Sequence, residues 1–219
     1  MRSAEELRNL KHFIWDFDGT LFDTYPVIIE NLRDGLREFG FDADPVDMMR
    51  RMLETIPAAR NHYADTYGID REALTEAYQK YHLVANAEMV AQPMDGVREL
   101  LQRIRDRGGY NYIFTNRKVS ETEAYLEKYG LTGEFRMVVG PETPGFAWKP
   151  APDAIDLLVD TFRMNREEAV MVGDRECDLG SGRNAGIRTL HYVCKVAPED
   201  LVCDWRAENF EEILDVLSL

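Results

Sequence analysis

The sequence has few cysteines and no cysteine motif. Three cysteines stand among its 219 residues, at Cys177, Cys194 and Cys203, and no two of them have the Cys-x-x-Cys spacing. An odd number without that spacing argues against a disulfide framework and against a structural zinc site. We therefore expect reduced thiols, as in a cytoplasmic protein.

Long apolar runs and an excess of positive charge are also missing. No apolar run approaches the roughly 20 residues that a membrane-spanning helix needs, and the first segment, MRSAEELRNLK, lacks the apolar core of a signal peptide. The formal net charge of -14 repels nucleic-acid backbones and anionic membrane surfaces, so we expect neither as a partner. A small anionic substrate is compatible with this charge, because a few residues and any bound metal set the field inside a site.

Residues 24–91 contain little glycine and no convincing strand pattern, and their apolar residues recur at helical spacing. Pro26 stands at a first helical position and Gly40 at a carboxyl cap, which predicts a helix between them. Three further helices are predicted over residues 46–54, 58–67 and 71–89. We therefore expect an all-helical insert over residues 24–91.

The remaining sequence alternates between short apolar strands and amphipathic helices. In one of these helices Ser120 is followed three residues later by Glu123, which predicts a capping box. Such alternation is typical of a doubly wound, parallel α/β sheet of the Rossmann-like kind. Because the first strand precedes the helical insert, we expect residues 1–23 and 92–219 to form one core domain. The predicted strands are HFIW, YNYIFTN, RMVVG, AVMVGD, RTLHYV and a short one near Trp205.

Polar residues cluster where the predicted strands end. Each has an ordinary explanation as a helix cap or a turn residue, but ligands of an open parallel sheet bind beyond the carboxyl ends of its strands. Asp16 and Asp18 face the same side if the first strand stays extended, and two such carboxylates raise each other's pKa unless a cation lies nearby. The other polar residues are Thr115 and Asn116, Lys149, and Asp174 and Asp178.

Four segments carry a resemblance to a known family. DFDGT, FTN, KPAP and GDRECD resemble the four motifs of the haloacid dehalogenase superfamily, and the match runs over nearly the whole chain. The helical insert is similar to the small cap that subfamily I places between the first and second motifs. The resemblance implies phosphoryl-transfer chemistry on a Rossmann-like core.

The resemblance also implies roles for individual residues. Asp16 is then the nucleophile that forms an aspartyl-phosphate, and Asp18 is the general acid and base. Arg117 follows the second motif, where relatives often carry Lys; it is expected either to bind a substrate carboxylate or to be a solvated surface charge. The phosphate-binding residues implied are Thr115, Asn116, Lys149 and the backbone at Gly19.

We also expect a divalent cation at this site. Carboxylate attack on phosphorus needs a cation to neutralise both partners, and hard oxygen ligands favour Mg²⁺. Asp16 and Asp174 would supply side-chain oxygens, and the family pattern adds the backbone carbonyl of Asp18. Asp178 would ligate the metal directly or act from outside its ligand shell, and the sequence leaves both open.

The function expected first is a Mg²⁺-dependent phosphatase of small phosphorylated metabolites, similar to phosphoglycolate phosphatases. Dehalogenases of the family do not need the second aspartate of the first motif, so Asp18 favours phosphate chemistry. A sugar-phosphate mutase similar to β-phosphoglucomutase is the alternative. A non-catalytic binding module is a third hypothesis, which loss of Asp16, Asp18 or Lys149 would have favoured. We expect a monomer or a homodimer.

Overall fold

The structure, a computed structural model, describes residues 3–193 and 201–217. Its two compact units are Met1–Phe22 with Pro93–Leu219, and Asp23–Gln92. Cys177 and Cys203 are free thiols, while Cys194 lies outside the described residues. Within the described ranges, no helix combines the length and the apolarity needed to cross a bilayer.

A six-stranded parallel sheet forms the centre of the first unit. Its spatial order is β5-β4-β1-β6-β7-β8, and a separate two-stranded ribbon pairs β2 with β3. The chain thus adds strands on one side of β1 and then returns to add strands on the other side, which confirms the predicted doubly wound α/β fold. The strands are β1 His12–Trp15, β2 Phe22–Asp23, β3 Gln92–Pro93, β4 Tyr110–Phe114, β5 Phe135–Val139, β6 Ala169–Gly173, β7 Arg188–Tyr192 and β8 Trp205–Ala207.

The register of the central strands brings their carboxyl ends to one level. Trp15 at the end of β1 lies opposite Ile113 of β4 and Val172 of β6. All residues of β1 and β6 are buried, as expected of parallel strands covered on both faces. The residues that follow these strands therefore emerge side by side.

Helices cover the sheet. The helix α6, Val97–Asp106, buries four apolar residues, Val97, Leu100, Leu101 and Ile104. On α9, a Cβ added at Gly182 would lie 2.9 Å from Cβ of Met171 on β6, so the absence of a side chain lets this helix approach the sheet closely. The helices of this unit are α1 Ala4–Arg8, α6 Val97–Asp106, α7 Val119–Lys128, α8 Asp153–Phe162, α9 Glu176–Asn184 and α10 Phe210–Leu217.

The second unit is helical, as the apolar spacing predicts. Asp44, Thr55 and Asp70 accept hydrogen bonds from the first turns of α3, α4 and α5 and so cap these helices. A Cβ at Gly35 of α2 would lie 3.2 Å from the backbone nitrogen of Tyr78, so glycine permits the close contact of α2 with α5. The helices are α2 Tyr25–Arg37, α3 Pro45–Met52, α4 Ile56–Tyr67 and α5 Arg71–Glu88.

The predicted capping box at Ser120 is wrong. Helix α7 begins at Val119, and no side chain at its N-cap position, Lys118, makes a capping hydrogen bond. Instead, Ser120 donates from its N–H and its Oγ to the carboxylate of Glu142, at 2.8 and 3.1 Å. A residue beyond β5 thus supplies the acceptor that the local pattern assigned to Glu123.

Candidate active site

Main-chain hydrogen bonds hold the first residue beyond each of two strands in place. The N–H of Asp16 donates to the carbonyl of Val172 at 2.8 Å, and the N–H of Thr115 donates to the carbonyl of Val139 at 3.0 Å. The ladder therefore extends one residue past β1 and past β4. Both side chains start from a rigid edge of the sheet.

Lys149 joins two carboxylates from different parts of the chain. Its Nζ donates to Oδ1 of Asp16 at 2.5 Å and to Oδ1 of Asp178 at 2.7 Å, and all three side chains are fully buried. The backbone N–H of Arg175 donates to the other oxygen of Asp178 at 3.0 Å. Burial lowers the pKa of Lys149, but the two carboxylates outweigh this effect and leave it above its ordinary value. The lysine is therefore charged.

Asp16 is the residue of this group whose charged form is disfavoured by its surroundings. Burial raises its pKa to about 6, the charge of Asp178 acts in the same direction, and Lys149 opposes both. Its Oδ2 atom is buried and accepts no hydrogen bond within the described part of the chain. A buried carboxylate oxygen without a partner is costly unless a cation compensates it.

The donors present suit a hard divalent cation. Asp16, Asp174 and Asp178 are buried, and each offers a carboxylate oxygen within 4.8 Å of the others. Oxygen ligands of this kind are those that Mg²⁺ prefers. Because Lys149 and the Arg175 N–H already donate to the two oxygens of Asp178, this carboxylate fits a role outside the ligand shell better than direct ligation.

The carboxylate group formed by Asp16, Asp174 and Asp178 does not include Asp18, although the charge of Asp18 is among those that raise the pKa of Asp16. Extension ends at Trp15, and the chain turns at Gly19, whose φ of 81° is left-handed. The condition under which both aspartates would share one side of a strand, continued extension of β1 as far as Asp18, is therefore not met. The N–H of Gly19 donates to the carbonyl of Phe22 at 2.8 Å, so this amide serves the turn and not a phosphate site.

Arg117 makes the pairing that the sequence did not reveal. Its Nη2 donates to Oδ1 of Asp18 at 2.7 Å, and its Nε lies 3.1 Å from Oδ1 and 3.3 Å from Oδ2. Only 6% of the Arg117 side chain is exposed, so the alternative of a solvated surface charge is wrong. No local pattern announces this pair, because 99 positions separate the two residues.

Contacts between loops bring the remaining predicted residues to the same edge. Oγ of Thr115 accepts a hydrogen bond from the N–H of Arg117 at 3.0 Å. Oδ1 of Asn116 accepts one from the N–H of Lys149 at 3.5 Å. Oγ of Thr20 donates to Oδ1 of Asp174 at 3.5 Å. Thr20 belongs to the DFDGT segment, where it follows Gly19 directly.

Comparison with known proteins identifies the family. The model of the haloacid dehalogenase-like hydrolases matches residues 13–192. The chain belongs to this family. The resemblance predicted from the four sequence motifs is thus confirmed, and the match includes every site residue described above.

Individual relatives of this hydrolase differ in the substrates that their names give. It is 31% identical to a phosphoglycolate phosphatase of Mesorhizobium japonicum, over 80% of this chain and 78% of the relative. It is 26% identical to the pyrophosphatase PpaX of Listeria innocua, over 94% of each chain. The crystal structure of a predicted phosphoglycolate phosphatase from Haemophilus somnus 129PT has the same fold, with a TM-score of 0.82 and 17% identity over 95% of this chain and 98% of the other.

Proposed function

We propose that this hydrolase is a Mg²⁺-dependent phosphatase that cleaves small phosphomonoesters through an aspartyl-phosphate at Asp16. The observation that carries the proposal is the state of Asp16, which is fully buried and held by Lys149 through one oxygen, while its other oxygen accepts no hydrogen bond from the described residues. A nucleophile needs a lone pair that no hydrogen bond occupies and a fixed orientation, and this carboxylate combines the two. The phosphatase named among the relatives at 31% identity supports the same chemistry.

In the first half-reaction, a carboxylate oxygen of Asp16 attacks phosphorus and the bond from phosphorus to the leaving oxygen breaks. Asp18 gives its proton to that oxygen, so that an alcohol departs. In the second half-reaction, a water oxygen attacks phosphorus, Asp18 takes a proton from the water, and the bond to Asp16 breaks. Inorganic phosphate leaves, and both aspartates return to their starting state.

Charge around the reacting phosphate is balanced by the other residues. The Lys149 ammonium offsets the negative charge of Asp16 and of the phosphate oxygens. Thr115 and Asn116 bind phosphate oxygens, and Asp178 holds Lys149 in place. Asp16, Asp174 and the carbonyl of Asp18 would hold Mg²⁺, which when bound neutralises charge on the phosphate.

The proposed substrate is a small phosphorylated metabolite. Phosphoglycolate is the first choice because it is the substrate in the name of a relative that covers most of this chain. Inorganic pyrophosphate belongs in any comparison for the same reason. We place the protein in the cytoplasm, as the free thiols of Cys177 and Cys203 support, and as a monomer or homodimer.

Phosphate release from the purified protein tests this function. The substrates are p-nitrophenyl phosphate, phosphoglycolate, pyrophosphate and a hexose 6-phosphate, each assayed with Mg²⁺ and with excess chelator. We expect phosphate from at least one monoester with Mg²⁺, none with chelator, and none from Asp16→Asn. Full activity in chelator, with no metal found by elemental analysis, contradicts the metal requirement. Isomerisation of the hexose phosphate without phosphate release would assign a mutase instead, and inactivity on every substrate would favour a binding module.

A further inference from the structure

Arg117 is held in place from several sides before it reaches Asp18. Its guanidinium carbon lies 5.7 Å from the ring centres of both Phe17 and Tyr125, a distance at which a cation is attracted to an aromatic face. Its Nη1 lies 3.5 Å from a carboxylate oxygen of Glu121, four residues further along the chain. The long side chain therefore has little freedom left.

The backbone of Arg117 is fixed as well. Its N–H donates to Oγ of Thr115 at 3.0 Å, and its carbonyl lies where a Cβ at Gly140 would come within 2.8 Å. Glycine at the end of β5 thus makes room for this backbone. Contacts therefore hold both the backbone of Arg117 and its guanidinium in place.

Asp18, in contrast, lies beyond the end of β1, where its backbone forms only an isolated bridge with Phe22 between two turn residues. The ladder that fixes Asp16 does not extend to it. Its carboxylate receives two close hydrogen bonds at Oδ1, of 2.7 and 3.1 Å, and a longer one of 3.3 Å at Oδ2, all from Arg117. A carboxylate that must reach first a leaving oxygen and then a water needs such a guide, because misplacement by about 1 Å costs about a hundredfold in rate.

We propose that Arg117 is a positioning residue that orients the Asp18 carboxylate for its two proton transfers. The proposal rests on the phosphatase function given above. Arg117 then acts through Asp18 and does not bind a carboxylate of the substrate. The rigid fork of arginine matters here, because it binds a carboxylate with several donors in one plane, whereas lysine offers a single point charge.

A double-mutant cycle separates this role from substrate binding. The variants are Arg117→Met, Asp18→Asn and the two combined, and the substrates are an alkyl phosphate and p-nitrophenyl phosphate. We expect Arg117→Met to lower kcat for the alkyl phosphate about a hundredfold with little change in KM, and to lower it less for the better leaving group. On the Asp18→Asn background the same change should have almost no effect, because residues that act as a unit are not additive.

Matched variants and a covalent readout complete the test. Lys118→Met removes the neighbouring cation, whose side chain is 61% exposed, and should leave both rates unchanged. Arg117→Lys keeps the charge without the fork and should recover only part of the activity. If Arg117→Met does not fold by circular dichroism, Arg117→Lys takes its place in the cycle. In the folded Arg117 variant, slow water attack should let a phosphate adduct accumulate on the peptide that contains Asp16, visible by mass spectrometry after an acid quench.

Three results would overturn the proposal. One is an Arg117→Met effect as large on the Asp18→Asn background as on the wild type. Another is a rise in KM confined to substrates that bear a carboxylate, with kcat intact, which would make Arg117 a substrate-binding residue. The third is equal loss on both leaving groups with no adduct. A wild-type protein that releases no phosphate from any substrate refutes the phosphatase function itself, and is recognised before any variant is compared.

Discussion

The ammonium of Lys149 lies 2.5 Å from Oδ1 of Asp16, although 133 positions separate the two residues. Both side chains are fully buried, so no water screens this pair. A buried charge of either sign depends on its partner, because removing one leaves the other uncompensated at a cost of about 3–5 kcal/mol. The lysine therefore serves both the fold and the chemistry of this edge.

Replacing Lys149 by methionine should lower kcat by about 10²–10³-fold, in line with the loss of one electrostatic contact in a transition state. It should also lower the melting temperature, because Asp16 and Asp178 then lose their shared cation. The matched control is Lys11→Met, which breaks a 2.8 Å ion pair with Glu168 whose lysine is 57% exposed. Exposed pairs contribute about 0–1 kcal/mol, so this control should change neither quantity much. Equal effects of the two substitutions in steady-state kinetics would contradict the special role of Lys149.

Substitutions of the two aspartates of the first motif should have different effects on catalysis. Asp16→Asn removes the attacking oxygen, so no covalent adduct should form with any substrate. Asp18→Asn keeps the nucleophile and should cost about 10²–10⁴-fold on alkyl phosphates, but less in the first step with p-nitrophenyl phosphate, whose leaving group departs almost unaided. Its adduct should accumulate and be found by mass spectrometry of an acid-quenched sample. An adduct in Asp16→Asn would show that the roles are assigned wrongly.

Stabilisation by Mg²⁺ should depend on pH through Asp16. Without metal its pKa is raised to about 6, above the ordinary value of about 3.9. At pH values between these two, the folded apoprotein therefore binds a proton at Asp16 that the unfolded chain has released. The stability that this proton contributes is lost as pH rises through 6. Mg²⁺ competes with that proton, so the rise in melting temperature on adding Mg²⁺ should be larger near pH 7.5 than near pH 5. Thermal unfolding with Mg²⁺ and with chelator measures this shift in melting temperature. Asp16→Asn should abolish its pH dependence. A shift of equal size at both pH values would contradict the assignment.

Gly173 at the end of β6 should not tolerate a side chain. A Cβ there would lie 2.3 Å from Cβ of Asp178, so Gly173→Ala must displace the carboxylate that holds Lys149. Overpacking of this kind costs about 1–3 kcal/mol, and we expect a lower melting temperature together with a loss of activity. Gly133→Ala is the control, because its Cβ would meet no atom of the described residues within 4 Å. Thermal unfolding and kcat of both variants decide the matter, and a fully active Gly173→Ala protein would mean that Asp178 has room to move.

The elements were predictable from the sequence where the signal is local and periodic. Apolar spacing identified the helical insert, and short apolar segments identified all six strands of the sheet, because burial of a face imposes a period on the sequence itself. The residues at the carboxyl edge followed from the same reasoning, since parallel strands end together.

Pairings between distant residues were not predictable in this way. Ser120 finds its acceptor in Glu142, and Asp18 finds its partner in Arg117, at separations of 22 and 99 positions. Such contacts depend on where loops meet after the sheet has formed, and nothing in the neighbouring sequence encodes that meeting. The engagement of Asp178 with Lys149 has the same origin, which explains why its relation to the metal stayed open.

The strand order also dictates when this protein can acquire its site during biosynthesis. β1 is made before both of its partners, since β4 and β6 follow only after the helical unit Asp23–Gln92 has been synthesised. At about 5–20 residues per second, the roughly 100 residues between β1 and β4 take about 5–20 s to appear. The contacts within each helix of the unit in between are local and form fast, whereas β1 waits as an unpaired apolar segment. Asp16 therefore gains the Lys149 ammonium as its partner only once the loop that carries Lys149 has left the ribosome.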